Sequence, residues 1–318
     1  MNIAPSPHLS DTGFTTRRMM IDVIVALLPL IGVSIWVFGI RALVQLALGV
    51  AGCLLAETVF TAMRRRRPPL GDCSAVVTGL ILGLSLPATA PWYVAVIASF
   101  AAIGFGKVVF GGLGFNIFNP AMVGRAFVMI AFPAMLGASA YIDPNAAVNA
   151  ITQATPLTAL QQESIVTPLM DLLIGKTNGS LGETSAIACV VGGIYLCLRR
   201  TASWEIPAGA ILTFAAITFL VDIIGSPSEW SGLHSISSGA FLFGAFFIAT
   251  DPVSSPLTHK GKFIFGAGFA AFVVLIRSLS GYPEGVMFAI LLMNAVAPLI
   301  NRWTIPTPVG GPVPQEAS

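Results

Sequence analysis

Long apolar segments recur along the whole chain and are separated by short polar or basic stretches. Most of them are about 20 residues long, the length that a helix needs to cross a hydrocarbon core about 30 Å thick. The pattern predicts ten membrane-spanning helices, of which the third and eighth are short and contain glycine. The predicted spans are 20–40, 42–60, 74–88, 91–110, 121–136, 184–198, 206–224, 236–249, 263–279 and 286–300.

Composition supports a membrane protein and excludes an ordinary soluble domain. Hydrophobic residues make up 55% of the 318 positions and charged residues only 9%, whereas a soluble domain carries roughly 25% charge. The net charge of +2 gives no indication of nucleic-acid binding. The predicted fold class is therefore an all-α polytopic membrane protein, surrounded by membrane lipid.

The basic residues predict how the chain is oriented. With the N-terminus in the cytoplasm, eleven Lys and Arg residues lie on the cytoplasmic side and three on the opposite side, as the positive-inside rule requires. The eleven are Arg17, Arg18, Arg64, Arg65, Arg66, Arg67, Arg199, Arg200, Lys260, Lys262 and Arg302, and the three are Arg41, Lys176 and Arg277. We therefore expect an inner-membrane protein with both termini in the cytoplasm and a long periplasmic segment at 137–183.

Two spacings recur in the two halves of the chain. Glycine and proline stand eight residues apart at 79–87 and at 244–252, and Asn and Pro stand four apart at 116–120 and at 294–298. Glycine and proline are common in membrane helices, so chance alignment is the alternative explanation. Five spans in each half would make the second half an inverted copy of the first, with short or broken helices meeting at a central ligand site.

This organisation divides the chain into four parts: a first five-span repeat at 1–136, a periplasmic loop at 137–183, a second five-span repeat at 184–302 and a cytoplasmic tail at 303–318. Such an architecture suits a channel, a transporter or a membrane-embedded cofactor carrier. Fold alone does not choose among these functions.

Several kinds of functional site are not indicated. The four cysteines form no Cys-x-x-Cys pair and are best explained as small packing residues. The three histidines are scattered in loops, so no metal site is predicted. No glycine-rich strand–turn–helix pattern for a dinucleotide is present, so NADH would have to be oxidised by another chain.

Charged residues within or beside the spans are costly and are often functional. They are Glu57, Lys107, Arg125, Asp222 and Arg277. We expect Glu57 to extend toward the arginine run that follows it, and Lys107, Asp222 and Arg277 to reach the nearby span ends. Arg125 lies deeper in its span and is expected to meet an anion or a backbone carbonyl.

The periplasmic loop contains the segment Asn149-Ala-Ile-Thr-Gln-Ala-Thr155-Pro-Leu. It resembles the attachment motif for covalent flavin, Asp-x-x-Ser/Thr-Gly-Ala-Thr, in which FMN is joined through its phosphate to the last threonine. Thr152, Ala154 and Thr155 match that motif, whereas Asn149 replaces Asp and Gln153 replaces Gly. The alternative is an ordinary Thr-Pro turn.

Further motifs occur in a characteristic order along the chain. In order along the chain they are Gly114-Phe-Asn-Ile-Phe-Asn-Pro-Ala121, Gly124-Arg125, the Ala-Thr-Pro-Leu of the predicted periplasmic loop and Ala249-Thr-Asp-Pro-Val253. From about residue 17 to 302 the chain resembles the D subunits of Rnf-type electron-transport complexes. It is also similar to the B subunits of sodium-translocating NADH:quinone oxidoreductases.

The resemblance implies a periplasmic covalent FMN on Thr155, attached by a flavin transferase, and a second, noncovalent riboflavin within the membrane. It also implies partner subunits that carry iron–sulfur clusters and further flavin. Asn119 can cap the fifth span, with Pro120 at its first helical position. Asn116 and Asn119 together could instead contact the riboflavin, and Asp251 could cap a helix, hold a cation or contact a flavin.

Two functions are consistent with these sequence features. In the first, the chain is a redox subunit that relays electrons from FMN toward a second flavin and couples this to ion transport. In the second, it is a solute channel or transporter of the urea or ammonium type, which explains an inverted repeat but gives the Ala-Thr-Pro-Leu loop no role. Flavin fluorescence of the chain on a denaturing gel distinguishes the two.

Reporter fusions test the predicted topology. A reporter fused after Arg67 or after Arg200 should report from the cytoplasm, because both positions follow basic clusters that stay inside. A fusion within 137–183 should report from the periplasm. A periplasmic signal from either arginine position would contradict the predicted topology.

Overall fold

The computed structural model of the chain describes residues 15–65, 70–136, 156–157, 167–175, 177, 179–224, 232–279 and 285–306. Across these residues the regular structure is helical, and the only β pairing is an isolated bridge between Pro87 and Ser180. The helices are α1 (Thr16–Phe38), α2 (Ile40–Met63), α3 (Ser74–Ser85), α4 (Trp92–Ile103), α5 (Pro120–Ala131), α6 (Pro133–Leu136), α7 (Leu169–Ile174), α8 (Ala186–Leu198), α9 (Glu205–Ile224), α10 (Gly232–Ser237), α11 (Phe241–Phe243), α12 (His259–Leu279) and α13 (Val286–Thr304).

The helices make the chain an all-α polytopic membrane protein. In the described part, α1, α2, α12 and α13 are long and apolar enough to cross a membrane, and five shorter apolar helices accompany them. Each of the ten predicted segments overlaps described helical structure. The number of crossings and the inverted order of the two halves remain predictions.

Helices approach closely, both between the two halves and within the second half, where a glycine takes the place of a larger residue. Helix α1 packs along α8, and α5 packs against α13. A Cβ atom at Gly192 of α8 would lie 2.3 Å from the carbonyl oxygen of Ala26 in α1, and one at Gly266 of α12 would lie 2.1 Å from that of Ile206 in α9. Small residues at such crossings let backbones approach in an environment where van der Waals packing drives association.

Irregular backbone separates α4 from α5. Helix α4 continues into a π-helical turn at Gly104–Val108, and the chain then turns at Gly111, Gly112 and Gly114 before α5 begins. These three glycines have φ values of 124°, 113° and 92°, which other residues adopt only with strain. Glycine therefore allows the chain to turn sharply between α4 and α5.

The residues matched by the repeat spacing do not share one local backbone. Gly79 lies within the regular helix α3, whereas Gly244 begins a π-helical turn that follows α11. Pro120 is the first residue of α5, whereas Pro298 lies inside α13. The spacing match therefore does not by itself relate the two halves.

The last residues of the predicted periplasmic loop enter the helical core. A 3₁₀ turn at Leu181–Glu183 brings Leu181 to full burial. The Leu181 amide donates to the Leu86 carbonyl at 3.2 Å, and the Ser34 hydroxyl donates to the Leu181 carbonyl at 2.6 Å. The segment is thereby fixed between α1 and the end of α3.

Glu57 of α2 and Lys107 of the π-helical turn form a buried ion pair. Their side chains are 1% and 2% exposed, and the Lys107 ammonium also donates to the Ser74 hydroxyl at 2.6 Å. The expectation that Glu57 reaches toward the arginine run, and that Lys107 reaches a span end, is therefore wrong. Each charge costs less when neutralised by the other inside the protein than when either is buried alone.

Arg277 near the end of α12 also stays within the protein. Its guanidinium donates to the carbonyls of Ser235 and Ser238, at 2.9 Å and 3.1 Å, and lies 5.5 Å from the centre of the Phe214 ring. These carbonyls lie at the end of α10 and just beyond it, where backbone acceptors lack helical partners.

The buried ion pair leads to a stability prediction. Lys107→Met should lower the free energy of unfolding by about 3–5 kcal/mol, because it leaves the Glu57 carboxylate buried without a cation. The double variant Glu57→Gln/Lys107→Met removes the stranded charge and should recover most of the loss. Thermal denaturation midpoints in detergent measure both effects, and additive losses in the double variant would show that the two side chains do not depend on each other.

Candidate functional site

A cleft lies where the interrupted segments of both halves meet. It contains about 750 Å³ of empty space, a volume that includes the space at its open side. The walls are mainly apolar, with a few amide, hydroxyl and carboxyl groups. Its lining includes Met19, Met20, Val23, Ser74, Val77, Thr78, Ile81, Leu113, Asn116, Asn119, Leu196, Thr201, Phe247, Thr250, Asp251 and Val253.

Asn119 closes one wall of the cleft and caps α5. Its side-chain oxygen accepts hydrogen bonds from the amides of Ala121 and Met122 at 3.1 Å and 3.3 Å. This satisfies two of the helix donors that lack intrahelical partners. The side-chain nitrogen donates to the Ile248 carbonyl at 3.5 Å. The predicted cap is confirmed, and these contacts occupy both ends of the Asn119 amide.

Asn294 of α13 joins the two halves beside this cap. Its side-chain oxygen accepts from the Asn119 amide at 3.0 Å, and its nitrogen donates to the Ser254 carbonyl at 3.1 Å. Asn294 is 1% exposed. The sequence marked Asn294 only as part of a repeated spacing, because nothing in a linear pattern shows that its partners lie 175 and 40 residues away.

Asn116 and Asp251 meet across the cleft. The Asn116 side chain donates to the Phe118 carbonyl at 3.2 Å and also hydrogen-bonds Asp251. The Asp251 carboxylate accepts from the Val253 amide at 3.1 Å and the Ser254 hydroxyl at 3.0 Å. Burial raises the pKa of the Asp251 carboxyl, and these hydrogen bonds oppose that rise.

The polar groups of this cleft suit the edge of a flavin ring. A flavin offers both a hydrogen-bond donor and carbonyl acceptors at that edge. Asn116 supplies an amide and Asp251 a carboxyl, and the hydroxyl oxygens of Thr78 and Thr250 can accept even though each donates to a helix carbonyl. The apolar walls would cover the rings, so the residues present fit such a group.

A second polar cluster lies beside the cleft, on α1 and the end of α8. The Asp22 carboxylate accepts two hydrogen bonds from Arg199, both at 3.2 Å, and one from the Thr201 hydroxyl at 3.1 Å. Tyr195 approaches at 3.5 Å. Sequence reasoning missed Asp22, although a carboxylate inside an apolar segment is a recognisable signal of a buried partner.

Arg125 does not line the cleft. It is 9% exposed on α5, and its guanidinium lies 3.6 Å from the Glu183 carboxylate. Glu183 also accepts from Ser180 in a capping box of the Leu181–Glu183 turn. The anion that Arg125 meets among the described residues is thus a side chain of the protein, and its contact with a cofactor remains a prediction.

The proposed attachment motif lies outside the described residues. This applies to Thr152, Ala154 and Thr155 alike. The two residues that follow, Pro156 and Leu157, are described, and both are buried. The candidate cofactor residues of the sequence analysis thus divide into Asn116 and Asn119 in the cleft, Arg125 beside Glu183, and the attachment motif, which lies outside the described residues.

Comparison with known proteins adds to this geometry. Residues 2–310 match the model of the family described as NQR2, RnfD, RnfE. The chain is 39% identical over 308 residues to the D subunit of the Na⁺-translocating ferredoxin:NAD⁺ oxidoreductase complex of Acetobacterium woodii, covering 96% of this chain and 93% of the relative. It is 37% identical over 320 residues to the D subunit of the proton-translocating ferredoxin:NAD⁺ oxidoreductase complex of Clostridium ljungdahlii, covering 97% and 96%.

A third relative comes from another bacterium. The D subunit of the ion-translocating oxidoreductase complex of Halorhodospira halophila is 40% identical over 344 residues, covering 97% of this chain and 95% of the relative. The family match spans the predicted membrane segments, the cleft and the segment 137–183. The resemblance drawn from the sequence motifs is confirmed: the chain belongs to the NQR2, RnfD, RnfE family.

Proposed function

We propose that this chain is the membrane-embedded flavoprotein subunit of an Rnf-type, ion-translocating ferredoxin:NAD⁺ oxidoreductase complex. Similarity to relatives named as the D subunits of such complexes, along nearly the whole of both chains, carries the proposal. By itself, the chain does not act on NADH. Its partners are subunits that hold iron–sulfur clusters and further flavin, and a flavin transferase matures it.

The proposal includes two flavins. FMN is attached through a phosphoester to Thr155 in the periplasmic loop of an inner-membrane protein whose termini are both cytoplasmic. Riboflavin lies in the cleft against Asn116, with Thr78, Thr250 and Asp251 available to its polar edge. Flavins supply the redox chemistry, with electrons moving from FMN toward the second flavin, while the protein positions and insulates them.

The residues around the cleft have distinct roles in this proposal. Asn119 and Asn294 fix the broken backbone, so their amides shape the site rather than bind the ligand. Asn116 is the amide that can address the flavin edge. The apolar walls exclude water, which strengthens each hydrogen bond made inside.

Coupling to ion movement is assigned to the contact between the two halves. The Asn119–Asn294 hydrogen bond and the Asp22–Arg199 ion pair both cross this contact beside the cleft. A change in the ligand that altered the cleft walls would therefore act on links between the halves. Interfaces that have two alternative packings can turn small local shifts into larger rearrangements.

Thr155→Val tests the covalent flavin. Valine keeps the branched shape but removes the oxygen that forms the phosphoester, so flavin fluorescence at the mass of the chain on a denaturing gel should disappear. Thr155→Ser keeps a hydroxyl and should retain partial loading. Peptide mass spectrometry of the wild-type chain should find the FMN adduct on Thr155, and not on Thr152 or Thr158.

Thr167→Val is the matched control. Thr167 is also followed by Pro-Leu, but Val166 precedes it instead of alanine, so this variant should load normally. An unmodified Thr155 peptide from cells that contain the transferase and the rest of the complex would contradict the covalent site and favour the channel or transporter alternative.

Asn116→Leu tests the noncovalent flavin. Loss of the side-chain amide should weaken riboflavin binding roughly tenfold while the covalent band stays intact. Asn119 is kept in this variant, because changing it would also remove the cap of α5. Riboflavin per chain in the purified complex, released by denaturation and quantified by chromatography, measures the effect.

Asn301→Leu provides the control for the same chemical change. The Asn301 side chain accepts from the Leu257 amide at 2.9 Å and does not line the cleft, so riboflavin content should not change. Equal riboflavin content in the Asn116 and Asn301 variants would exclude Asn116 from the site.

A further inference from the structure

A second apolar groove lies on the outer surface of the first half, away from the flavin cleft. It is formed by α2, by α4 with its π-helical turn, and by α5. It contains about 1150 Å³ of empty space, a volume that includes the space at its open side. Its main lining residues are Phe60, Phe100, Gly104, Phe105, Val109 and Phe127, with Arg64 at one end. No carboxylate lines it in the described part of the chain.

The shape of the groove depends on Gly104 and on aromatic pairs. A Cβ atom at Gly104 would lie 3.0 Å from the Phe60 ring, so a larger residue there would press against that ring. The rings of Phe60 and Phe100 meet edge to face at 6.0 Å, and this arrangement holds aromatic walls in place.

The groove stays exposed at the surface of the protein. Phe105 is 58% exposed, Val109 66% and Phe127 42%. At membrane depth such a surface is covered either by acyl chains or by a helix of another chain. Helix–helix contacts in membranes favour small residues that let backbones approach, and projecting phenylalanine rings suit flexible acyl chains better.

The end of the groove carries positive charge. Arg64 donates to the Val108 carbonyl at 2.6 Å, which anchors its guanidinium beside the groove and beneath the π-helical turn. Arg64 and Arg65 are both exposed, and the sequence continues with two further arginines. Basic clusters directly beyond a membrane helix attract anionic headgroups, and a guanidinium binds phosphate through paired hydrogen bonds.

We propose that this groove is a binding site for an anionic phospholipid. Its acyl chains lie along Phe60, Phe105 and Val109, and its phosphate contacts Arg64 and Arg65. The apolar groove and the basic end are continuous, so one molecule occupies both. The site is independent of the flavins and of the direction of electron flow.

Photo-crosslinking of the full-length chain tests this site. A benzophenone-bearing phenylalanine is introduced at Val109, in proteoliposomes with equal phosphatidylethanolamine and phosphatidylglycerol and in the native membrane. Position 55 is the control. Leu55 lies on α2, which forms one wall of the groove, and is 55% exposed, but it does not line the groove. Mass spectrometry of the cross-linked peptides should show phosphatidylglycerol enriched at position 109 and not at position 55.

Charge substitutions separate a specific site from general lipid contact. Arg65→Gln should reduce the enrichment at position 109 about fivefold, and it spares the Arg64 hydrogen bond to the Val108 carbonyl. Arg41→Gln removes an exposed arginine from the opposite end of α2 and should leave the enrichment unchanged. Equal lipid ratios at positions 55 and 109, insensitivity to Arg65→Gln, or cross-linking of position 109 to another protein would each overturn the proposal.

Discussion

The interrupted helices of this protein must satisfy their backbone hydrogen bonds where water is scarce. In hydrocarbon each unpaired amide or carbonyl costs several kcal/mol, so broken backbone survives only where protein groups replace the missing partners. Side chains supply them here: Asn119 accepts from the start of α5, Arg64 donates to the Val108 carbonyl, and Arg277 donates to two carbonyls beside α10. These contacts supply partners for backbone groups at the start of α5, in the π-helical turn and beside α10.

The same requirement shapes the candidate flavin site. Because the amides of Asn119 and Asn294 are already engaged with backbone, they fix the positions of α5 and α13 and leave the ligand to other groups. Asn116 and Asp251 lie on the interrupted segments themselves, one from each half. A site built this way is rigid where the backbone is capped and polar only at a few positions, as small-molecule sites commonly are.

The sequence predicted the fold class well, because apolar length is a local property that each segment carries on its own. It also identified the cap at Asn119, since an Asn-Pro pair before an apolar run has a local meaning. It did not predict that Glu57 pairs with Lys107 or Asp22 with Arg199, because the partners are 50 and 177 residues apart. Helix packing decides which buried charges form a pair, and the hydropathy of the sequence does not reveal how the helices pack.

Arg125 shows the same limit for the site. Its depth in an apolar segment suggested an anion or a backbone carbonyl as its partner, and the anion beside it in the described structure is Glu183, near the end of the segment 137–183. The residue type indicated the kind of group that Arg125 contacts, whereas identifying that group required the folded path of the chain.

That path also affects how the protein can be made. Leu181 is buried between α1 and the end of α3, so the core of the first half includes a residue that is synthesised near the end of the segment 137–183. The helices of the first half can form as the ribosome delivers them, but their packing is incomplete until Leu181 has been synthesised. Helix formation and tertiary closure of the first half are therefore separated in time, since closure needs a residue that lies more than 40 positions after the end of α6.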